Sequence, residues 1–307
     1  MLKLVILIIY FAVLIGIGLY CRKHATDVNG FVLGGRSVGP WLTAFAYGTS
    51  YFSAVVFVGY AGQFGWKYGI AATWAGIGNA IIGSLLAWVV LGRRTRIMSQ
   101  HLDSATMPQY FGKRFGSNPL KIGASVIIFI FLIPYTASLY NGLSRLFGMA
   151  FNIDYSVCII IMATLTAIYV IAGGYMATAI NDFIQGIIML FGIVAVIAAV
   201  IHSKGGFMSA LQGLANVSDP AVSDTPGIFA SFFGPDPFNL LCVVILTSLG
   251  TWGLPQMVQK FYAIDNEASI QKGTVISTIF ALVVSGGCYF LGGFGRLFSD
   301  QIDVKAN

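Results

Sequence analysis

Residues 41–64 read WLTAFAYGTSYFSAVVFVGYAGQF, and residues 241–261 read LCVVILTSLGTWGLPQMVQKF. Each stretch is apolar and long enough to cross a bilayer as a helix, which takes about 20 residues. Each is also interrupted near its centre. In the first, Gly48, Thr49, Ser50 and Ser53 sit in mid-span. Glycine costs about 1 kcal/mol in a helix interior, and serine and threonine compete for the hydrogen bonds of the backbone. Unwinding near 48–53 is therefore expected. In the second, Thr247, Ser248, Gly250, Thr251, Gly253 and Pro255 crowd the centre. Proline removes a backbone donor and clashes with the preceding turn, so a discontinuous helix is expected there too.

The rest of the chain sets the environment of these two breaks. Of its 307 residues 57% are hydrophobic and only 9% are charged, against about 25% charged in a soluble domain. The mean hydropathy is +0.83. A soluble fold cannot hide that much apolar surface, and a disordered chain would be far more polar. Apolar windows place spans near 2–21, 41–64, 70–92, 121–148, 155–173, 179–201, 238–263 and 272–297. The expectation is an all-α polytopic membrane protein of about eight transmembrane helices, retained in the cell membrane as a multi-pass chain. Residues 1–21 read as a retained span and not a cleaved signal, because Tyr20 precedes Cys21 where cleavage needs a small residue.

Lysine and arginine give an orientation. Arg22, Lys23, Arg36, Arg93, Arg94, Arg96, Lys113, Arg114, Lys121, Lys260 and Lys272 fall on one side of this span order, and Lys3, Lys67, Lys204 and Lys305 on the other. The richer side is cytoplasmic, which puts the N-terminus outside. The net charge of +6 thus follows topology and forms no cluster suited to nucleic acid. The four cysteines and three histidines make no metal-ligand or disulfide spacing. No nucleophile–base or phosphate-binding motif occurs, so neither an enzyme nor a transition-metal protein is expected.

Unwound backbone at membrane depth is tolerated only where it is buried in protein or lines a cavity, and its free carbonyls can coordinate a cation there. Two broken helices five spans apart fit an inverted-repeat transporter. Within a single transmembrane domain, 1–307, the expected parts are a leading helix at 1–21 and a first inverted repeat at 41–201. An external loop at 202–237 with little regular structure follows, and 238–298 starts a second repeat. Residues 105–116 are expected to form a short interfacial helix. Asp182, at the cytoplasmic start of the sixth span, is costly near lipid and points either to an ion pathway or to a helix-start acid. Asn79 in the third span fits a solute contact or an interhelical hydrogen bond. Ala72, Gly76, Ala80 and Ser84 make a close-packing stripe at four-residue spacing.

The segments FVLGGRSVGPWLTAFAYGTSYFSAVVFVGYAG (31–62), ATMPQYFGKRF (105–115), IAGGYMATAINDFIQG (171–186) and LGTWGLPQMVQKFYAID (249–265) resemble the sodium:solute symporter family over essentially the whole chain. The resemblance implies a LeuT-type inverted-repeat fold and Na⁺ as the coupling ion for uptake of a small organic solute: an amino acid, a carboxylate or a sugar-like molecule. It implies Na⁺ contacts at the carbonyls of Thr49 and Phe52 and an additional or transient Na⁺ contact at Asp182. Tyr51, Ser53, Thr73, Ser248, Thr251 and Trp252, with Asn79, become the candidate solute-binding set. The solute stays open. Proline-type members carry an acid where this chain has Tyr51, and sugar-type members carry an acid at Thr73 and an amide at Ser248. The repeat arithmetic implies an N-terminal portion that is inactive alone, because two helices of the second repeat are present. A solute-binding membrane sensor and an H⁺-coupled or uncoupled transporter of the same fold remain the alternatives.

Overall fold

The computed structural model describes residues 2–53 and 55–301. Lys305 and the C-terminal end lie outside the described residues. Every extended element of the described chain is helical, apart from isolated bridges such as Val38 with Ile264. Among the described residues, four helical runs are long and apolar enough to cross a membrane: Val55–His101, Asn118–Gly148, Tyr155–Ser203 and Glu267–Gly293. Val5–Cys21 and Pro237–Leu249 are shorter apolar helices.

The α-helices are α1 (Leu2–Cys21), α2 (Val28–Leu33), α3 (Pro40–Tyr51), α4 (Ala61–Tyr68), α5 (Thr73–Gly78), α6 (Arg93–His101), α7 (Met107–Phe115), α8 (Asn118–Phe151), α9 (Tyr155–Ser203), α10 (Phe207–Ala215), α11 (Pro237–Leu249), α12 (Pro255–Ala263) and α13 (Glu267–Gly293). Wide π-helical turns fill Val55–Tyr60, Asn79–Leu86 and Trp88–Gly92.

Two compact units interleave along the chain. Unit 1 comprises residues 1–51, 87–186 and 252–277, and unit 2 comprises 52–86, 187–251 and 278–307. In unit 1, Leu33, Val38, Ala105, Tyr175, Ala179, Val258, Tyr262 and Ala263 form a buried core. Tyr47, Trp88 and Phe261 form a second, aromatic cluster with ring centroids 5.1 to 5.6 Å apart. In unit 2 the small-residue stripe of the third span is buried throughout, and Gly76 lies directly against the backbone of Gly286.

Two glycines divide the longest helical runs. At 1.5 Å per residue, a straight helix of the 49 residues of α9 would span about 74 Å, more than twice the roughly 30 Å hydrocarbon core. Gly174 breaks it with φ 57° and ψ −148°. Gly69 breaks the run between α4 and α5 in nearly the same conformation, φ 64° and ψ −144°. Only glycine occupies that region without strain. Neighbours also crowd both sites: a Cβ on Gly174 would lie 2.7 Å from the Phe31 carbonyl oxygen, and one on Gly69 would collide with the Phe229 backbone.

Both expected helix breaks exist, with one shift of position. α3 continues through Gly48, Thr49 and Ser50 to Tyr51, and the helix opens only at Phe52 and Ser53. The Thr49 hydroxyl donates back to the Phe45 carbonyl at 2.9 Å, so it stays within the helix and does not unwind it. The second break runs from Gly250 to Leu254, between α11 and α12, as the proline predicts.

The 202–237 segment departs from its expectation as an irregular solvated loop. Phe207, Ala210, Leu211 and Leu214 recur at helical spacing and form one face of α10. Ala210 and Leu214 are buried with Phe229 and Phe294. The segment is fastened to the rest of unit 2 at three points. Trp74 donates to the Phe232 carbonyl at 3.0 Å, and Lys204 to the Leu297 carbonyl at 2.7 Å. Arg296 pairs with Asp219 at 2.9 Å over the Phe229 ring. The many turn residues mark the path between these points; they do not prevent packing.

Gly174→Ala and Gly69→Ala are each expected to destabilise the purified protein by at least about 2 kcal/mol, because the strained backbone alone is worth of order 1–3 kcal/mol. Gly192→Ala, in open space within α9, should hold or raise stability by up to about 1 kcal/mol. Thermal unfolding in detergent, followed by tryptophan fluorescence, checks all three.

Candidate functional site: a charged and a neutral polar cluster

α12 leaves the second break with Pro255 at its first turn, where a missing N–H costs nothing. Its far end is pinned by side chains of the same unit. Arg36 donates to the Tyr262 carbonyl at 3.4 Å, and also to the carbonyls of Ser99 and Ser104 and the Ser99 hydroxyl. Arg96 donates to the carbonyls of Ile264 at 2.6 Å and Asp265 at 2.9 Å. The Val38 amide donates to the Ala263 carbonyl at 3.2 Å. Burial holds the Arg36 guanidinium below its ordinary pKa, opposed by the charge of Asp103. It remains a cation serving as a helix cap.

This anchoring fixes Lys260 on α12. Its ammonium lies 3.6 Å from the Asp182 carboxylate of α9, with the Lys260 side chain only 7% exposed. The same ammonium sits 4.9 Å from the centre of the Tyr175 ring. The Thr49 hydroxyl of α3, whose proton goes to the Phe45 carbonyl, lies beside Asp182 with its oxygen lone pairs free to face a cation there. Three helices of unit 1 thus converge on one carboxylate. Around them, the amides of Asn181 and Gln256 and the hydroxyl of Tyr175 are buried and have no hydrogen-bond partner among the described residues.

The second cluster is neutral and lies wholly in unit 2. The Asn79 side-chain oxygen accepts from Thr247 and Ser248, each at 3.1 Å, and its amide nitrogen donates to Ser285 at 3.3 Å. Asn79, Ser248 and Ser285 are buried. The arrangement joins the third span to α11 and α13 and has the form of an interhelical hydrogen-bond network. Thr251 donates to the Ser248 carbonyl at 3.0 Å, which extends the network to the start of the break.

The remaining candidates are spread out. Tyr51 is buried in unit 1, edge-on to Tyr47 with ring centres 6.3 Å apart. Phe52 is buried in unit 2, stacked on Phe280 at 6.5 Å. The Ser53 carbonyl accepts from the amides of Val56 and Phe57. Thr73 donates to the Ile70 carbonyl at 2.7 Å. Trp252 is half-buried in unit 1. The fold therefore brings Thr49 to Asp182, and Asn79 to Ser248.

Sequence reasoning missed three of the partners: Lys260, Thr247 and Ser285. Lys260 was counted among the cytoplasmic flank charges. The structure corrects this, because the side chain points back into the unit to meet a carboxylate that local sequence does not reveal. The available signal was its place in the helix that follows the proline, at a four-residue spacing from Gln256.

Comparison with known proteins gives the fold and the family. The chain shares its fold with a solved Na⁺-coupled sialic acid symporter in a substrate-bound outward-open state, at a TM-score of 0.75 and 16% identity, over 100% of this chain and 64% of that one. Residues 31–300 match the model of the sodium:solute symporter family. The chain belongs to that family, and it is a multi-pass helical membrane protein. It is 29% identical to the osmoregulated proline transporter OpuE of Bacillus subtilis (strain 168), over 96% of this chain and 59% of the relative. It is 30% identical to the sodium/proline symporter of Staphylococcus aureus (strain JH9), over 98% of this chain and 57% of the relative. The chain thus spans somewhat over half the length of these curated relatives.

Asp182→Asn should leave the Lys260 charge buried without its partner and cost about 3–5 kcal/mol. The double variant Asp182→Asn/Lys260→Met should recover most of that loss. Thermal unfolding of the two variants and of Lys260→Met alone, read as a double-mutant cycle, measures the coupling.

Proposed function

We propose that the chain carries the ion- and solute-binding part of a Na⁺-coupled symporter that moves a small organic solute across the cell membrane, with its N-terminus outside. The observation that carries this reading is the meeting of Thr49 and Asp182 just before the break in α3, in a member of a sodium:solute symporter family. A carboxylate and a hydroxyl are hard oxygen ligands that suit a small alkali cation. The loosened backbone at Phe52 adds a carbonyl of the same kind. Thr49, Phe52 and Asp182 are the proposed Na⁺ contacts. Tyr51, Ser53, Thr73, Asn79, Ser248, Thr251 and Trp252 are the proposed solute set, in which Asn79 and Ser248 act by holding helices together. Residues 41–201 and 238–298 are proposed as the first repeat and the opening of the second.

The solute class is left as wide as an amino acid, a carboxylate or a sugar-like molecule. Proline stands first in a test panel, because two similar relatives are a proline transporter and a sodium/proline symporter. A second reading, coupling to H⁺ or to no ion, has one observation in its favour: an ammonium already faces Asp182. Both readings describe a transporter and give the protein no catalytic step.

Uptake of labelled proline, a panel of other amino acids, carboxylates and sugars by proteoliposomes separates the readings. Na⁺ coupling predicts that replacing external Na⁺ with choline reduces initial uptake of the accepted solute at least about tenfold, within the usual range of coupling free energies. Uptake that is unchanged by the swap and rises with an inward proton gradient would establish the second reading.

A further inference from the structure

The acid proposed to meet Na⁺ already has a cation of the protein's own. Lys260 is 6% exposed overall, and its ammonium is 3.6 Å from Asp182. Two cations cannot share one largely buried carboxylate closely without strong repulsion. Nor can the carboxylate stand bare, since an uncompensated charge removed from water costs several kcal/mol. A symporter must return empty after releasing its ion. At that stage Asp182 needs a counter-charge that does not leave the protein.

We infer that Lys260 is a tethered counter-cation that exchanges with Na⁺ at Asp182: the ammonium covers the carboxylate when the ion is absent and swings away when the ion arrives. This inference rests on the Na⁺ reading given above. It keeps the local charge constant through the cycle, and it makes Lys260 a determinant of ion affinity although it is not itself an ion ligand.

The surroundings provide a place for the displaced ammonium. The Tyr175 ring face is 4.9 Å from it and attracts a cation without neutralising it. Gln256 lies one helical turn earlier on α12, on the same face as Lys260. Both amide atoms of Gln256 are buried without a hydrogen-bond partner among the described residues. Its oxygen is an acceptor waiting for a donor, and the lysine stem is long enough to change partner without movement of the helix.

Two measurements test the exchange. The first uses the unaltered protein. Reductive methylation of Lys260, quantified by peptide mass spectrometry, should rise several-fold in NaCl over choline chloride at equal ionic strength, because Na⁺ frees the amine from Asp182. Equal labelling in both salts, with Na⁺ binding detected in the same sample, would overturn the exchange. The second is equilibrium binding of ²²Na⁺. Lys260→Gln should bind Na⁺ about tenfold more tightly than the unaltered protein, while Lys260→Arg, which keeps the charge, should show no gain. Affinity that is unchanged or weaker in Lys260→Gln would refute the exchange and leave Na⁺ coupling standing. Absence of ²²Na⁺ binding in both proteins would refute the coupling reading itself, and the exchange with it. If Lys260→Gln does not fold, the labelling experiment decides alone.

Discussion

A peptide group released from its helix inside a membrane has no water to bond, and leaving it bare costs several kcal/mol. The interruptions in this chain are organised around that constraint. In unit 1 the last carbonyls of α12 are met in succession by Arg36, the Val38 amide and Arg96. In unit 2 the carbonyls of Trp66, Phe232 and Leu297 receive Arg296, Trp74 and Lys204. Side chains that a topological reading treats as interfacial charges act here as backbone partners. Holding α12 this way brings the Lys260 ammonium to the Asp182 carboxylate, the centre of the charged cluster.

The two polar clusters do different kinds of work. Around Asn79 hydrogen bonds join neutral groups on the third span, α11 and α13, and such a network fixes geometry. Around Asp182 the groups carry full charges, and several neighbouring amides and a hydroxyl have no partner. A cluster with spare donors and acceptors can be rearranged at modest cost, whereas a satisfied one resists change. Rearrangement therefore comes more easily to Asp182 and its surroundings, and rigidity to Asn79.

How much of this could be read in advance depended on the range of the physics involved. The breaks near Ser53 and Pro255 were legible because glycine, serine and proline act on their own turn. The burial of the Ala72–Ser84 stripe was legible from its period. The exact start of the first break was not, because it depends on whether the Thr49 hydroxyl bonds its own helix. The packing of 202–237 was obscured by aspartate and proline, whose local signal outweighs four apolar residues in α10. Lys260 was misassigned for a deeper reason. A lysine near the end of an apolar run looks the same whether it faces a headgroup or a distant carboxylate, and only the approach of α9 to α12 separates the two.

The Asn79 network also bears on the order in which the protein is made. Its partners Thr247, Ser248 and Ser285 follow it by 168, 169 and 206 residues. At translation rates of roughly 5–20 residues per second, the amide is synthesised some 10–40 s before the last of them can reach it. During that interval the third span is made without these three partners, and the tie between it, α11 and α13 closes only after most of the chain has been synthesised.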